Sequence, residues 1–191
     1  MLRTFVFLLL GVCFVCFRVL GQDVALNQML QKYYLNIDVT RPVSEISGKM
    51  KQNKYLSIEQ DTSKTDFGDF VLVKSGSFNR HPLIKVLGFD SGLALHTLNG
   101  TKLVSLVLHF RFNNLKVYKK LCRRIKKDLK KHFQDIKVEK KQLSFSVIKN
   151  ISFFKHKHDD QPLLTLSMRQ TFIDLSRPKE SVYSLTLTYQ E

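Results

Sequence analysis

Residues 115–136, LKVYKKLCRRIKKDLKKHFQDI, restrict the fold more than any other stretch of this chain. Leu115, Tyr118, Cys122, Ile125, Leu129, Phe133 and Ile136 recur at steps of three or four. At about 100° per residue they share one arc, with Leu121 at its edge. The opposite arc takes Lys116, Lys119, Lys120, Arg123, Arg124, Lys126, Lys127, Lys130 and Lys131, and Asp128 is the one acid before Asp135. The spacing predicts a single helix with one face for a core and one face of nearly pure positive charge. Asn113 or Asn114 is placed to cap its start. Cations near its C-terminus suit the helix dipole, but so many like charges repel one another.

The chain opens MLRTFVFLLLGVCFVCFRVLG, a basic residue followed by an apolar run over 5–17. That run is shorter than the roughly 20 residues of a membrane span. Val19 and Gly21 suit a processing site, so 1–21 reads as a signal peptide cleaved after Gly21. Gln22 would then begin a single domain, 22–191, of ordinary size. A first-position Gln resembles many exported proteins of Gram-negative bacteria, and the expected location is secreted or periplasmic. The formal charge of +15 falls to +13 once Arg3 and Arg18 leave with the leader. Cys13 and Cys16 leave too, so Cys122 is the sole thiol of the processed chain and no internal disulfide is expected. Its place on the apolar arc reads as a small buried hydrophobe. Asn99-Gly-Thr and Asn150-Ile-Ser match glycosylation acceptors, which matter only in a eukaryotic secretory route.

Before the basic segment, 23–34 reads as a helix capped by Asp23, with a stripe of Leu26, Met29, Leu30 and Tyr33. A second, over 42–52, has Thr40 as its candidate cap and Pro42 in its first turn. Strands are expected at 55–59, 70–74 and 83–89, with 62–69 a turn and Ser75-Gly-Ser ending the second strand. Asn99-Gly100 suits a two-residue turn, which would pair Leu95 with Val104 and Leu93 with Leu106 in a hairpin over 93–112. After the helix, 137–142 reads as a polar connection, and 143–154, 163–173 and 182–190 alternate as strands.

Residues with catalytic or ligating chemistry are sparse along this order. His156-Lys-His158-Asp159-Asp160 resembles the HxHxD core of the metallo-β-lactamase-type hydrolases, and that resemblance would make His156, His158 and Asp160 metal ligands. Gln161 replaces a further histidine of that pattern, and too little chain follows for the remaining ligands. The bland reading is a polar loop between strands. His96 and His109 share a face of the expected hairpin but lie roughly 20 Å apart, too far for one ligand. Walker loops, nucleophile elbows and dinucleotide fingerprints are missing from the sequence, so no cofactor is expected.

The expected fold is α+β: a predominantly antiparallel sheet packed against one long basic amphipathic helix, with one or two short N-terminal helices. The expected function is non-enzymatic binding in the cell envelope or exterior. The basic helix face would contact an anionic surface such as lipid headgroups or an acidic polysaccharide. Nucleic acid fits less well, because the helix lacks aromatic interleaving and an exported chain rarely meets it. The alternatives are a carrier holding a small apolar ligand between sheet and helix, and a metal-dependent hydrolase built on the histidine loop.

Overall fold

Strict alternation over 181–190 places Tyr183, Leu185, Leu187 and Tyr189 on one face, and all four are buried. The same period in 102–112 buries Leu106, Leu108, Phe110 and Phe112. These two strands pair with each other at the centre of the molecule, Leu108 opposite Leu187 and Phe112 opposite Tyr183. A computed structural model describes residues 24–60, 63–64, 70–78, 80–82, 91–98, 102–112, 114–133, 135–173 and 181–190. The leader with its processing site, the expected strand at 83–89 and the Asn99-Gly100 turn lie outside these residues.

The elements are α1 (24–33), α2 (Val43–Lys51), β1 (Leu56–Gln60), β2 (Ser63–Lys64), β3 (Phe70–Phe78), β4 (Gly92–Leu98) and β5 (Lys102–Phe112). Then follow α3 (Leu115–Leu129), β6 (Asp135–Leu143), β7 (Ser146–Phe154), β8 (Leu164–Phe172) and β9 (Ser181–Gln190). The nine strands form one sheet in the order β1-β3-β4-β5-β9-β8-β7-β6, with β2 paired beside β3, and every pairing is antiparallel. Two meanders are thus joined edge to edge by β5 and β9, and α3 carries the chain from the middle of the sheet to its far edge.

This corrects the expected architecture. The nine-stranded sheet dominates, and among the described residues the helices on it are three short stretches rather than one long one. The basic helix ends at Leu129, its fifteenth residue. Phe133 is buried from the turn that follows, and Ile136 already belongs to β6, opposite Phe153. Both keep the helical spacing because both face the core, although the backbone has left the helix. The expected polar connection at 137–142 is the body of β6, which pairs residue for residue with β7. An edge strand exposed on both faces has no reason to alternate, so its period is silent.

The other corrections have local causes. β3 runs through Ser75-Gly76-Ser77 without a break, because Gly76 serves close approach rather than a turn. A Cβ there would sit 3.1 Å from the Ser57 carbonyl oxygen, and a Cβ on Gly92 would overlap the carbonyl oxygen of Gly76. In the β4–β5 hairpin, Leu95 pairs with Leu106 and Leu93 with Leu108, two residues from the expected register. Val104 is an extra residue between the His96–Ser105 and Thr97–Leu103 pairs, and this bulge turns Leu103 inward, opposite the buried Thr97. Pro42, not Thr40, precedes α2, and the Thr40 hydroxyl instead donates to Asp38 at 2.7 Å. The expected strand at 143–154 is broken by the β6–β7 turn at Ser144 and Phe145.

One hydrophobic cluster joins the inner sheet face to Leu30, Tyr33 and Tyr34, to Val43, Ile46 and Met50 of α2, and to Leu121, Cys122, Ile125 and Leu129 of α3. Tyr34 anchors the N-terminal part to the middle of the sheet. Its buried hydroxyl donates across β9 and β5 to the carbonyls of Leu187 (3.0 Å) and Leu106 (3.2 Å). Burial holds its pKa well above the ordinary phenol value, so the donor keeps its proton. No helix among the described residues is long and apolar enough to cross a membrane.

Candidate anionic-partner surface

Asn114 caps α3, its side chain accepting from the backbone N–H of Lys116 (2.9 Å) and Val117 (3.2 Å). The inner arc is fixed by Leu121, Cys122, Ile125 and Leu129, and Tyr118 reaches the rings of Phe112 and Tyr183. Burial pushes the Cys122 thiol up to about 12, so it is a packing group rather than a nucleophile. These side chains pack between helix and sheet together with Phe133, whose ring lies tilted at 5.4 Å from that of Phe153.

With one arc locked inward, the other must face water. Lys116, Lys119, Lys120, Arg123, Arg124, Lys127, Lys130 and Lys131 are exposed, and Lys126 is half-buried. Among the described residues none of the nine lies within ion-pair distance of a carboxylate. Asp128 is turned to other work. It accepts the Tyr33 hydroxyl at 2.6 Å and lies 3.7 Å from the Lys32 ammonium, tying α3 to α1. Partial burial opposes ionisation of Asp128, but the Tyr33 bond and Lys32, Lys131 and Arg124 outweigh it and hold its carboxyl below the usual value.

The first turn of α3 contains no acid, while Lys116, Lys119 and Lys120 crowd its N-terminal half. That opposes the helix dipole, and each like-charge pair at i,i+4 costs roughly 0.2–0.5 kcal/mol. The positive surface also spreads beyond the helix. Lys126 is drawn below the ordinary lysine value, first by partial burial and then by Lys149 and Lys130. Lys149 lies on β7, opposite Lys140 of β6 and on the same face as the buried Ile151 and Phe153. The cations of α3 therefore meet those of β6 and β7 over the inner face of the sheet. Lys140 and Lys149 were not among the expected site residues. Their membership depends on the β6–β7 pairing, and the one local trace was the run KVEKK, read as a connection.

The histidines are not brought together. The β7–β8 turn holds His156 N–H against Asp159 Oδ2 at 2.8 Å, while His156, His158 and Asp160 stand in solvent. No group of three or more His, Cys, Asp or Glu able to hold a metal occurs among the described residues. His96 and His109 lie on the outer sheet face, bonded to Ser105 Oγ (3.1 Å) and Thr186 Oγ1 (3.0 Å). The true register brings them to about 13 Å, since Ser105 pairs with His96 and His109 is four residues on. His81 is buried with Nε2 at 3.0 Å from the Tyr33 carbonyl and its ring edge-on to Phe78 and Phe110.

No family model, curated protein or solved structure matches this chain.

Proposed function

We propose that the chain is an exported, non-enzymatic binding protein of the cell envelope or exterior that engages an anionic surface through the outward face of α3. One observation carries the reading: seven cations of a helix whose opposite arc is locked in the core, with Lys130 and Lys131 just past its end, stand with no carboxylate within ion-pair distance among the described residues. Such a face costs folding free energy through mutual repulsion, and an anionic partner relieves it. Helix packing alone asks for nothing of the kind, since solvated faces ordinarily interleave both signs.

The test is retention of the processed protein, 22–191, on immobilised heparin. The comparison is a variant carrying Lys119→Glu, Arg123→Glu, Lys127→Glu and Lys130→Glu. The reading predicts that the wild type is retained and the variant is not, with both unfolding cooperatively in urea. Equal retention, or none in either, would overturn it.

A further inference from the structure

The six large hydrophobic side chains that stand exposed among the described residues are Val24, Leu115, Val138, Leu143, Phe145 and Ile173. Strand pairing places four of them at one end of the molecule. β5 ends where β9 begins, β8 ends opposite the start of β9, and β7 begins opposite the end of β8. Leu115, at the start of α3, therefore shares an end with Ile173, just past β8, and with Leu143 and Phe145 of the β6–β7 turn. The Phe172 N–H donates to the Phe145 carbonyl at 2.9 Å, which sets Ile173 beside the turn. Leu143, Phe145 and Ile173 are 51 %, 59 % and 66 % exposed, so half or more of each side chain meets water in the free protein.

Cations ring this tip. Lys141 and Lys140 lie two and three residues back along β6 from Leu143, about 7 and 10 Å at strand rise. They point to opposite faces, so both sides of the hairpin carry charge. Lys140 faces Lys149 across the pairing, Lys141 faces Ile148, and Ile148 in turn faces Arg169 of β8. Lys116, Lys119 and Lys120 stand near the same end on α3. An apolar tip with positive charge set roughly 7–10 Å behind it matches the depth profile of an anionic bilayer. Interfacial segments bury their apolar side about 5–10 Å below the headgroups, and basic residues stay at the phosphates. A polysaccharide offers the charge but no apolar layer. A second copy of the chain offers an apolar tip but brings the same positive ring against itself.

We infer that the anionic partner is a phospholipid bilayer, and that the protein docks end-on, with Leu143, Phe145 and Ile173 in the headgroup–acyl boundary and Lys116, Lys119 and Lys120 of α3 with the lysines of β6–β7 on the phosphates. This rests on the anionic-surface reading and adds the tip to it. The test uses vesicles of mixed phosphatidylglycerol and phosphatidylcholine, vesicles of phosphatidylcholine alone, and heparin as a charged polymer without an apolar layer. The tip variant carries Leu143→Ser, Phe145→Ser and Ile173→Ser. A second variant, Phe145→Trp, reports position, because the natural chain has no tryptophan.

The expected result is wild-type binding to the mixed vesicles and to heparin, with binding to the mixed vesicles tenfold or more weaker in the tip variant and heparin retention unchanged. The emission of the Phe145→Trp variant shifts to the blue on mixed vesicles and is quenched by brominated acyl chains. Heparin binding without vesicle binding, equal vesicle binding by the tip variant, or an unshifted indole emission from vesicle-bound Phe145→Trp protein overturns the tip and leaves the basic face standing. A wild-type dimer that the tip variant abolishes also overturns it, making the tip a contact between copies. Failure on heparin and vesicles alike removes the basic-face reading with it.

Discussion

Replacing Asp128 by Ala is the most informative perturbation of the fold, because this carboxylate is the single acid within α3 and joins α3 to α1. Two interactions are lost. The Tyr33 hydroxyl donates to Asp128 at 2.6 Å, and a hydrogen bond to a charged group contributes about 1.5–3 kcal/mol. The Lys32 pair, at 3.7 Å with side chains 42 % and 22 % exposed, is solvent-screened and adds under about 1 kcal/mol. Tyr33 is buried, so without its acceptor the hydroxyl has no ready access to water. The expected cost of Asp128→Ala is about 2–3 kcal/mol. Tyr33→Phe should cost somewhat less, since Asp128 is near the surface and can rehydrate. Urea titrations of wild type, both single variants and the double variant give the coupling from the shifts in midpoint at constant slope. The expected coupling is about 1.5 kcal/mol or more. Additive single effects, or a cost for Asp128→Ala under about 0.5 kcal/mol, would refute the claim that this bond fastens α3 to α1.

Other perturbations test the packing more briefly. Gly92→Ala forces a Cβ onto the Gly76 carbonyl and should destabilise by roughly 1–3 kcal/mol, whereas Gly48→Ala meets nothing within 4 Å inside α2 and should stabilise by about 0.5–1 kcal/mol; urea midpoints moving in opposite directions check the pair. Burial lowers the pKa of His81 despite its bond to the Tyr33 carbonyl. Its folded value is thus below its unfolded one, so its contribution is complete above about pH 6.5 and declines as pH falls towards the folded value. His81→Phe keeps the ring contacts and should flatten the fall in stability below about pH 6.5, as measured by thermal melts across pH. Cys122 should stay unmodified by a thiol reagent at about pH 8 in the folded protein and react on unfolding, because its thiol is pushed up to about 12.

Much of the framework was legible because burial leaves a period in sequence. The stripe of Leu26, Leu30 and Tyr33 marks α1, whose C-terminal end falls within a residue or two of the expected one, and the alternation of 182–190 marks β9 within a residue of its ends. What was illegible has physical reasons. β6 is exposed on both faces, so nothing forces its residues to alternate, and its hydrogen bonds to β7 leave no mark in composition. Leu143 and Phe145 keep the parity of Val147, Ile151 and Phe153, and so imitate inward-facing strand residues while standing at a hairpin tip. Gly76 punctuates a strand pattern without ending the strand, since its missing Cβ is needed by a neighbouring strand. Pairing of Leu98 with Lys102 rather than Thr101 moved the hairpin register by one and the Val104 bulge by one more, a total of two that conserves the face of Leu93 and Leu95 and so is invisible to a parity argument. At the candidate site the nine cations of α3 and the turn that follows it were legible from spacing alone. Their extension through Lys140 and Lys149, and the apolar tip, depend on pairings between residues distant in sequence.

Whether the outward face of α3 is a surface for an anionic partner is decided by the affinity of the processed protein for heparin from about 50 to 200 mM salt, a range over which several released counterions weaken binding severely. A working basic face loses tenfold or more across that range, with a clearly shallower dependence when Lys119, Arg123, Lys127 and Lys130 are changed to Gln. An affinity that is flat with salt, or a slope unchanged by those four substitutions, would contradict it.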